Sequence, residues 1–353
     1  MRVYIPREHL TFKKERDLSP LARPFYYSGE WQISVDNLRR WKVPGEWMLC
    51  GKIEDAEILL FPMDANYYYK NKWKWLAGLC KMAFDKGLYS FILVTGDYGE
   101  VFPDIPGLTY FRMGGFASQL SSNNKGFPVM LSDHLEIRYQ TDDIAPVPWE
   151  EKPKIGFCGN ASPSLIKAGK EYFKYIIENT RRFTKNPLRK DYEPLFASAR
   201  ERWKILCELE QSPLIETNFI YRDQYRGGAR TVDELEKTTN EYYTNIRESA
   251  YVLCVRGAGN FSVRLFETLM MGRIPIFINT DCVLPLEDEI EWRKHVVWVE
   301  EINPDKIVEI TLNFHNSFTE DGFAELQKSN RSIWLDQLNL GNYFNYMKKQ
   351  ALQ

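Results

Sequence analysis

The apolar residues of this chain fall into short runs separated by polar turns and by longer stretches with a helical period. The clearest succession lies between Tyr251 and Asp281. Ala250 to Val255 is an apolar run of strand length. Gly257 and Gly259 then allow a sharp backbone turn. Ser262 suits a helix N-cap, and Leu265, Phe266, Leu269 and Met270 recur at the spacing of one buried helix face. Gly272 stands where a helix C-terminus favours a residue without a Cβ, and Pro275 to Ile278 is apolar again. Strand, turn, helix and strand in this order predict a right-handed parallel βαβ unit.

The same alternation extends both ways. Arg2 to Ile5, Ala56 to Pro62 and Ser90 to Thr95 read as strands of a first half, with a helix over Lys72 to Lys86. Lys154 to Gly159, Ile215 to Tyr221 and Val296 to Val299 read as strands of a second half. Helical patterning covers residues 162–212 and Thr231 to Arg247, resumes at Asn303 and again from Thr319 to about Leu338, and a short helix is expected near Glu287 to Glu289. This predicts an α/β fold with parallel sheets covered on both faces, whose ligand sites lie beyond the carboxyl ends of the strands. Residues 144–153, with three prolines, read as an extended linker. A length of 353 residues suits two domains, here 1–150 and 151–335, followed by an aromatic and basic tail, 336–353.

Composition narrows the function classes. Forty-six basic against 48 acidic residues leave a net charge of −2, which argues against a dedicated nucleic-acid partner. The six cysteines are scattered without a C-x-x-C pair, so reduced buried thiols are expected. Four histidines without an H-x-x-x-H pair speak against a histidine-built metal site. No apolar stretch reaches bilayer length, and the opening M-R-V-Y-I-P-R-E-H-L lacks a signal-peptide core. No transmembrane segment and a cytoplasmic location are therefore expected.

Candidate chemistry gathers on the turn before Ser262. A helix N-terminus with uncovered N–H groups attracts anions. Arg256 and Arg264 flank it, and guanidinium forks match phosphate oxygens. Glu267 lies one turn beyond Arg264, where a carboxylate can accept from ribose hydroxyls. Gly257, Gly259 and Ser262 complete a candidate site for a nucleotide or nucleotide sugar. In the first half, Asp64 and Asp97 each follow a strand, so both are candidates for a general base, Asp64 the first choice and Asp97, which also reads as a turn residue, the second. Tyr67, Tyr68, Tyr69, Trp73 and Trp75 are expected to fill core, with a platform for an acceptor sugar as the alternative. His134 reads as structural. Arg181, Arg182, Lys185, Arg189 and Lys190 read as a helical surface, and Arg222 and Arg226 lie on a polar loop within reach of a phosphate.

Three spaced blocks carry a family resemblance. S-A-Y-V-L-C-V-R-G from Ser249, S-V-R-L-F-E-T-L-M-M-G-R-I-P-I-F-I from Ser262, and L-P-L-E-D-E-I-E-W-R-K-H-V-V-W-V-E-E from Leu284 to Glu301 resemble the exostosin-type glycosyltransferases, family GT47. Weaker echoes are Ala56 to Pro62, T-G-D-Y-G from Thr95 and I-G-F-C-G-N from Ile155. Val255 stands in place of the usual Pro, Thr268 in place of Ala, and Glu291-Trp292 in place of Asp-Trp. The resemblance implies a GT-B fold, two Rossmann-like domains facing each other across a cleft, with the C-terminal helix packing back on the first domain. It implies an inverting glycosyltransferase that moves a sugar from a nucleotide sugar, UDP-linked, to a glycan acceptor in polysaccharide or glycoconjugate synthesis. No cofactor or metal is then expected, since arginines and a helix N-terminus receive the diphosphate, and no D-x-D motif stands out. Pairing as homo- or hetero-oligomers is compatible with it. Two other readings stay open. Gly257-Ala-Gly259-Asn-Phe-Ser262, followed by Asp281, nearly fits a dinucleotide-binding turn for an NAD(P)-dependent oxidoreductase. A non-catalytic carbohydrate-binding relative would keep the fold without turnover.

Overall fold

The computed structural model describes residues 1–300 and 302–352. Glu301, the end of the third matching block, and Gln353 lie outside the described residues. The first half runs β1 (Arg2–Tyr4), a hairpin of β2 (Tyr26–Tyr27) and β3 (Glu30–Trp31), α1 (Val35–Arg40), β4 (Met48–Cys50), β5 (Ile58–Leu60), α2 (Ala65–Asn71), α3 (Trp73–Asp85), β6 (Tyr89–Val94), β7 (Leu108–Arg112), β8 (Asn124–Gly126) and α4 (His134–Tyr139). Its main sheet has the order β4-β1-β5-β6-β7-β8, all parallel. The second half runs β9 (Lys154–Asn160), α5 (Leu165–Lys185), α6 (Ser198–Leu209), β10 (Glu216–Arg222), α7 (Val232–Arg247), β11 (Tyr251–Cys254), α8 (Val263–Met270), β12 (Ile274–Ile278), β13 (Val297–Val299), α9 (Pro304–His315), α10 (Glu320–Ser332) and α11 (Leu340–Ala351). Its sheet, β10-β9-β11-β12-β13, is also parallel throughout.

The local rules act where the sequence places them. Thr231 caps α7 in a reciprocal box with Glu234, and Asn303 caps α9 ahead of Pro304. Gly272 ends α8 with φ +63°, a conformation that costs glycine little. The helical stretch expected over 162–212 is two helices, α5 and α6, joined by an irregular segment. No helix forms at Glu287 to Glu289; the short helix is one 3-10 turn at Trp292–Lys294.

The halves are fused rather than hinged on a loose tether. One core cluster holds Val3, Phe91 and Phe111 of the first sheet, Leu265 and Phe266 of α8, and Phe344 and Met347 of α11. Helix α11 therefore closes the first sheet, and the Tyr343 hydroxyl donates to Gly126 O at 2.8 Å. The proline-rich connection is strapped to the second half as well. Val147 exchanges two hydrogen bonds with the Gln327 side chain, and Trp149 stacks on His315 at 4.9 Å.

Candidate functional site

The second sheet reverses its strand order at β9: β10 lies on one side and β11 on the other. The carboxyl ends of β9 and β11 therefore diverge into a crevice, the place where open α/β sheets bind ligands. A cleft of about 840 Å³ opens there, lined by Cys158, Gly159 and Asn160 at the end of β9 and by Val255 and Gly257 after β11. Helices α6, α7 and α8 form its walls, and Asp97 and His134 of the first half face it.

Its charge is lopsided. Among the described residues five arginines line it, Arg138, Arg202, Arg222, Arg226 and Arg264, against two acidic residues, Asp97 and Glu267. Arg264 is fixed by donating to Cys158 O at 2.8 Å, to Leu253 O at 3.3 Å and to the Tyr242 hydroxyl at 3.4 Å. Its guanidinium lies 4.0 Å from the Phe157 ring centre. A guanidinium has five N–H donors, so two remain for a ligand. Arg202 donates to Asn160 O, Val255 O and Arg256 O, while burial and the nearby Arg264 charge pull its pKa down to about 10. Glu267 accepts from the Tyr242 hydroxyl and, at 3.4 Å, from Tyr243. Burial raises its pKa above the ordinary carboxyl value.

Unsatisfied groups concentrate here. Eleven buried side-chain nitrogen or oxygen atoms among the described residues have no partner. Four belong to cleft residues: His134 Nδ1, Arg138 Nε, Asn160 Oδ1 and Arg202 Nε. Buried polar groups are ordinarily paired, so this clustering marks a place where a polar ligand supplies partners.

The expected residues divide. Gly257, Gly259, Ser262, Arg264, Glu267 and Asp97 line the cleft. Ser262 occupies the N-cap position of α8, but its side chain makes no capping bond, which leaves the first N–H groups of α8 without a side-chain cap. Arg256 does not line the cleft, contrary to the sequence reading. It is 3% exposed, donates to Ala258 O and lies between the Phe116 and Phe196 rings, at 5.3 and 5.0 Å. Asp64 is also absent from the cleft. It caps α2 through the Tyr67 amide at 2.8 Å and accepts from the Thr95 hydroxyl. Both its oxygens are thereby engaged.

Gly259 has a second task. A Cβ there would lie 2.3 Å from the Asp97 carbonyl oxygen, so the turn of the second half rests directly on the loop that carries Asp97. The Asn260 amide group locks the contact from beside it, donating to Gly115 O, Thr280 O and Asp281 O at 2.8–2.9 Å. From the other side the Gly99 amide donates to Glu193 at 2.8 Å and the Val101 amide to Asp191 at 2.9 Å. Those carboxylates pair with Arg182 and Arg189. Two of the five residues of the expected surface cluster, Arg182 and Arg189, thus belong to a buried ionic junction between the halves.

Residues 130–314, more than half of the chain, match the Exostosin GT47 domain family. The chain belongs to the exostosin GT47 family. A protein of Oryza sativa subsp. japonica named "probable glucuronosyltransferase" is 38% identical over 66 residues, 19% of this chain and 16% of its own length. Exostosin-1 of Drosophila melanogaster is 33% identical over 69 residues, 20% of this chain and 9% of its own. The matched stretch thus spans less than a fifth of either relative. A crystal structure of S. aureus TarM with UDP covers 84% of this chain and 55% of its own at 11% identity and a TM-score of 0.35, a likeness too loose to carry weight.

The sequence did not single out Arg138, Arg202, Tyr242 or Tyr243 as site residues. They sit on helices among ordinary charged and aromatic neighbours, and only the fold brings them to the β9–β11 crevice. The expected aromatic cluster is core: Tyr68 stacks on Trp75, Tyr69 and Trp73 pack on Phe102, and none lines the cleft. Asp281, the acid of the dinucleotide reading, is spent elsewhere, accepting from the Ser118 amide and hydroxyl, and does not face the cleft.

Proposed function

We propose that this GT47 protein is an inverting glycosyltransferase that takes its sugar from a nucleotide sugar and passes it to a hydroxyl of a glycan acceptor. The observation that carries the reading is the arginine-lined crevice at the β9–β11 switch point, with Asp97 reaching it from the opposite half. The diphosphate occupies the arginine side, near Arg264, Arg202 and the N-terminus of α8. Glu267, steadied by the Tyr242 and Tyr243 hydroxyls, is placed to accept from the ribose. Asp97 is the base. The acceptor oxygen forms a bond to the anomeric carbon as the bond from that carbon to the diphosphate oxygen breaks. The electron pair leaves on the diphosphate, whose growing charge the guanidinium groups stabilise, and the acceptor proton passes to the Asp97 carboxylate. Attack from the side opposite the leaving group inverts the anomeric centre.

In this reading the arginines supply the counter-charge, so no metal is required. UDP is the expected carrier, from the family resemblance. The relatives' names make glucuronosyl the first sugar to try. The decisive experiment measures UDP release and product formation with UDP-sugars and oligosaccharide acceptors, with and without chelator, for wild type and Asp97→Asn. Transfer that survives chelator and collapses in the variant supports the proposal. Binding of the nicotinamide cofactor in preference to UDP, or UDP binding without transfer to any acceptor, refutes it in favour of the oxidoreductase or the carbohydrate-binding reading.

A further inference from the structure

Helix α5 is amphipathic in an unusual sense. Its inner side is polar and buried, and its outer side is apolar and bare. Inward, Glu178 and Arg182 join the ionic junction, and the Tyr175 hydroxyl donates to Ala258 O at 2.9 Å. Outward, Ile166, Phe173, Ile176, Ile177 and Phe183, with Leu188 just beyond the helix, are between 50% and 88% exposed. At 3.6 residues per turn the helical residues among them share one face. Core-facing side chains account for none of this, and nothing among the described residues covers it. Contiguous exposed apolar surface of this kind marks an interaction site.

The charges beside the stripe identify its partner. Lys170, Lys174 and Lys185 are exposed along one edge of the helix, and Lys190 follows Leu188. The two acids of the helix turn away: Glu178 is paired with Arg181 and Arg182, and Glu171 accepts from the Ser198 hydroxyl on α6. The outward face therefore combines large apolar side chains with positive charge and shows no carboxylate of its own. A second copy would offer the same face in an isologous contact, hence more lysines and no counter-charge. An anionic bilayer surface offers both needed partners, acyl-chain boundary for the Ile and Phe side chains and phosphate headgroups for the lysines.

We propose that the outer face of α5 seats this protein on anionic membrane surfaces, lying in the headgroup plane rather than crossing it. No helix of the described residues is long and apolar enough to cross a membrane. The proposal goes beyond the transfer reading and does not depend on it. It also has a geometric consequence: the other side of the same helix touches the Ala258 turn beside the cleft, so a seated molecule holds its cleft within one helix thickness of the lipid.

The test is co-sedimentation of the full chain with vesicles of phosphatidylcholine alone or mixed with phosphatidylglycerol, at low and high salt. Light scattering gives the oligomeric state, and circular dichroism confirms folding. Wild type is expected to bind only the mixed vesicles, and less at high salt. Lys170→Gln with Lys174→Gln should weaken binding roughly thirtyfold, since each lysine near an anionic surface is worth about a factor of five. Phe173→Ser with Ile177→Ser should abolish it while the protein stays folded, these side chains being exposed. Equal binding to neutral vesicles, no binding to either, or unchanged binding by both variants would overturn the proposal. So would a dimer that becomes monomeric in Phe173→Ser with Ile177→Ser, which would assign the face to a second copy.

Discussion

Replacing Gly259 by alanine tests the link between the two halves of the site. The added Cβ would stand 2.3 Å from the Asp97 carbonyl oxygen and 2.6 Å from a Phe261 ring carbon, where ordinary contact begins near 3.4 Å. The ring can turn away, but a backbone carbonyl moves only with its loop. The shortfall of about 1.1 Å must therefore be met by displacing the Asp97 loop or the donor turn. Overpacking of this kind costs roughly 1–3 kcal/mol of stability, and a 1 Å misplacement at a reacting centre costs about a hundredfold in rate. Gly259→Ala should thus lower kcat about a hundredfold, while UDP affinity, which the proposed function assigns to Arg264, Arg202 and the α8 N-terminus, should change by less than about threefold. Gly257→Ala is the control. The nearest atom to its Cβ is Arg202 Nη2 at 3.7 Å, an ordinary contact, so it should leave the Asp97 loop in place and lower kcat far less than Gly259→Ala. Steady-state kinetics and calorimetric titration with UDP read both quantities. Wild-type kcat in Gly259→Ala, or equal damage from Gly257→Ala, would refute the claim that the Asp97 loop is positioned by this contact.

Other substitutions separate the remaining roles. Asp97→Asn should lower kcat by about 10²- to 10⁴-fold with UDP binding unchanged; Asp64→Ala should leave kcat near wild type and cost about 1 kcal/mol in urea denaturation, the loss of a helix cap. Arg264→Ala should weaken UDP binding by roughly ten- to a hundredfold, the worth of a charge-assisted contact, and transfer should fall with it in a titration and rate assay on the same sample. Burial holds the pKa values of His134, His295 and His315 below the ordinary histidine value. The unfolded chain then binds more protons than the folded one as pH falls below about 6.5, so stability should rise with pH up to that point and drop on acidification below it; urea midpoints measured across the range check the sign.

The parallel sheets were legible where strands are buried on both faces. Ile58–Leu60, residues 91–94 and Ile274–Ile278 are continuous apolar runs, and each lies in a strand. Asn124–Gly126 was not legible, because this edge strand has only three residues and no apolar periodicity. Turn chemistry was equally readable at Gly272, Thr231 and Asn303. Side-chain destinations were not. Arg256 and Arg264 sit symmetrically about the same turn in sequence, yet one goes between two aromatic rings and the other into the cleft. That difference depends on Phe116 and Phe196, far off along the chain. The cluster from Arg181 to Lys190 looked like solvated surface because the carboxylates that bury Arg182 and Arg189 arrive from several segments, Glu100 of the first half among them. Asp64 and Asp97 both follow strands, and only the Thr95 and Tyr67 contacts show that Asp64 is already committed.

These contacts bear on how the site works. The proposed inverting transfer needs its base and its leaving group on opposite sides of one carbon, and their separation must hold while water is kept out. A molecule with a loose linker could reach that geometry only on closing. Here the loop from Thr95 to Gly99 lies against the turn at Gly259, Asn260 bridges three carbonyl oxygens beside it, and Glu193 and Asp191 hold the following amides. The core shared by α8, α11 and the first sheet makes the same arrangement costly to open. Removing Arg182 would leave Glu193 buried without its charge partner and Glu178 with Arg181 alone, a loss of about 3–5 kcal/mol. Arg182→Met should therefore lower the urea midpoint sharply. Among molecules still folded it should also raise the donor KM less than it lowers kcat, because the junction holds the base loop and not the arginines. A variant that loses stability but keeps wild-type kcat would show the junction to be structural alone.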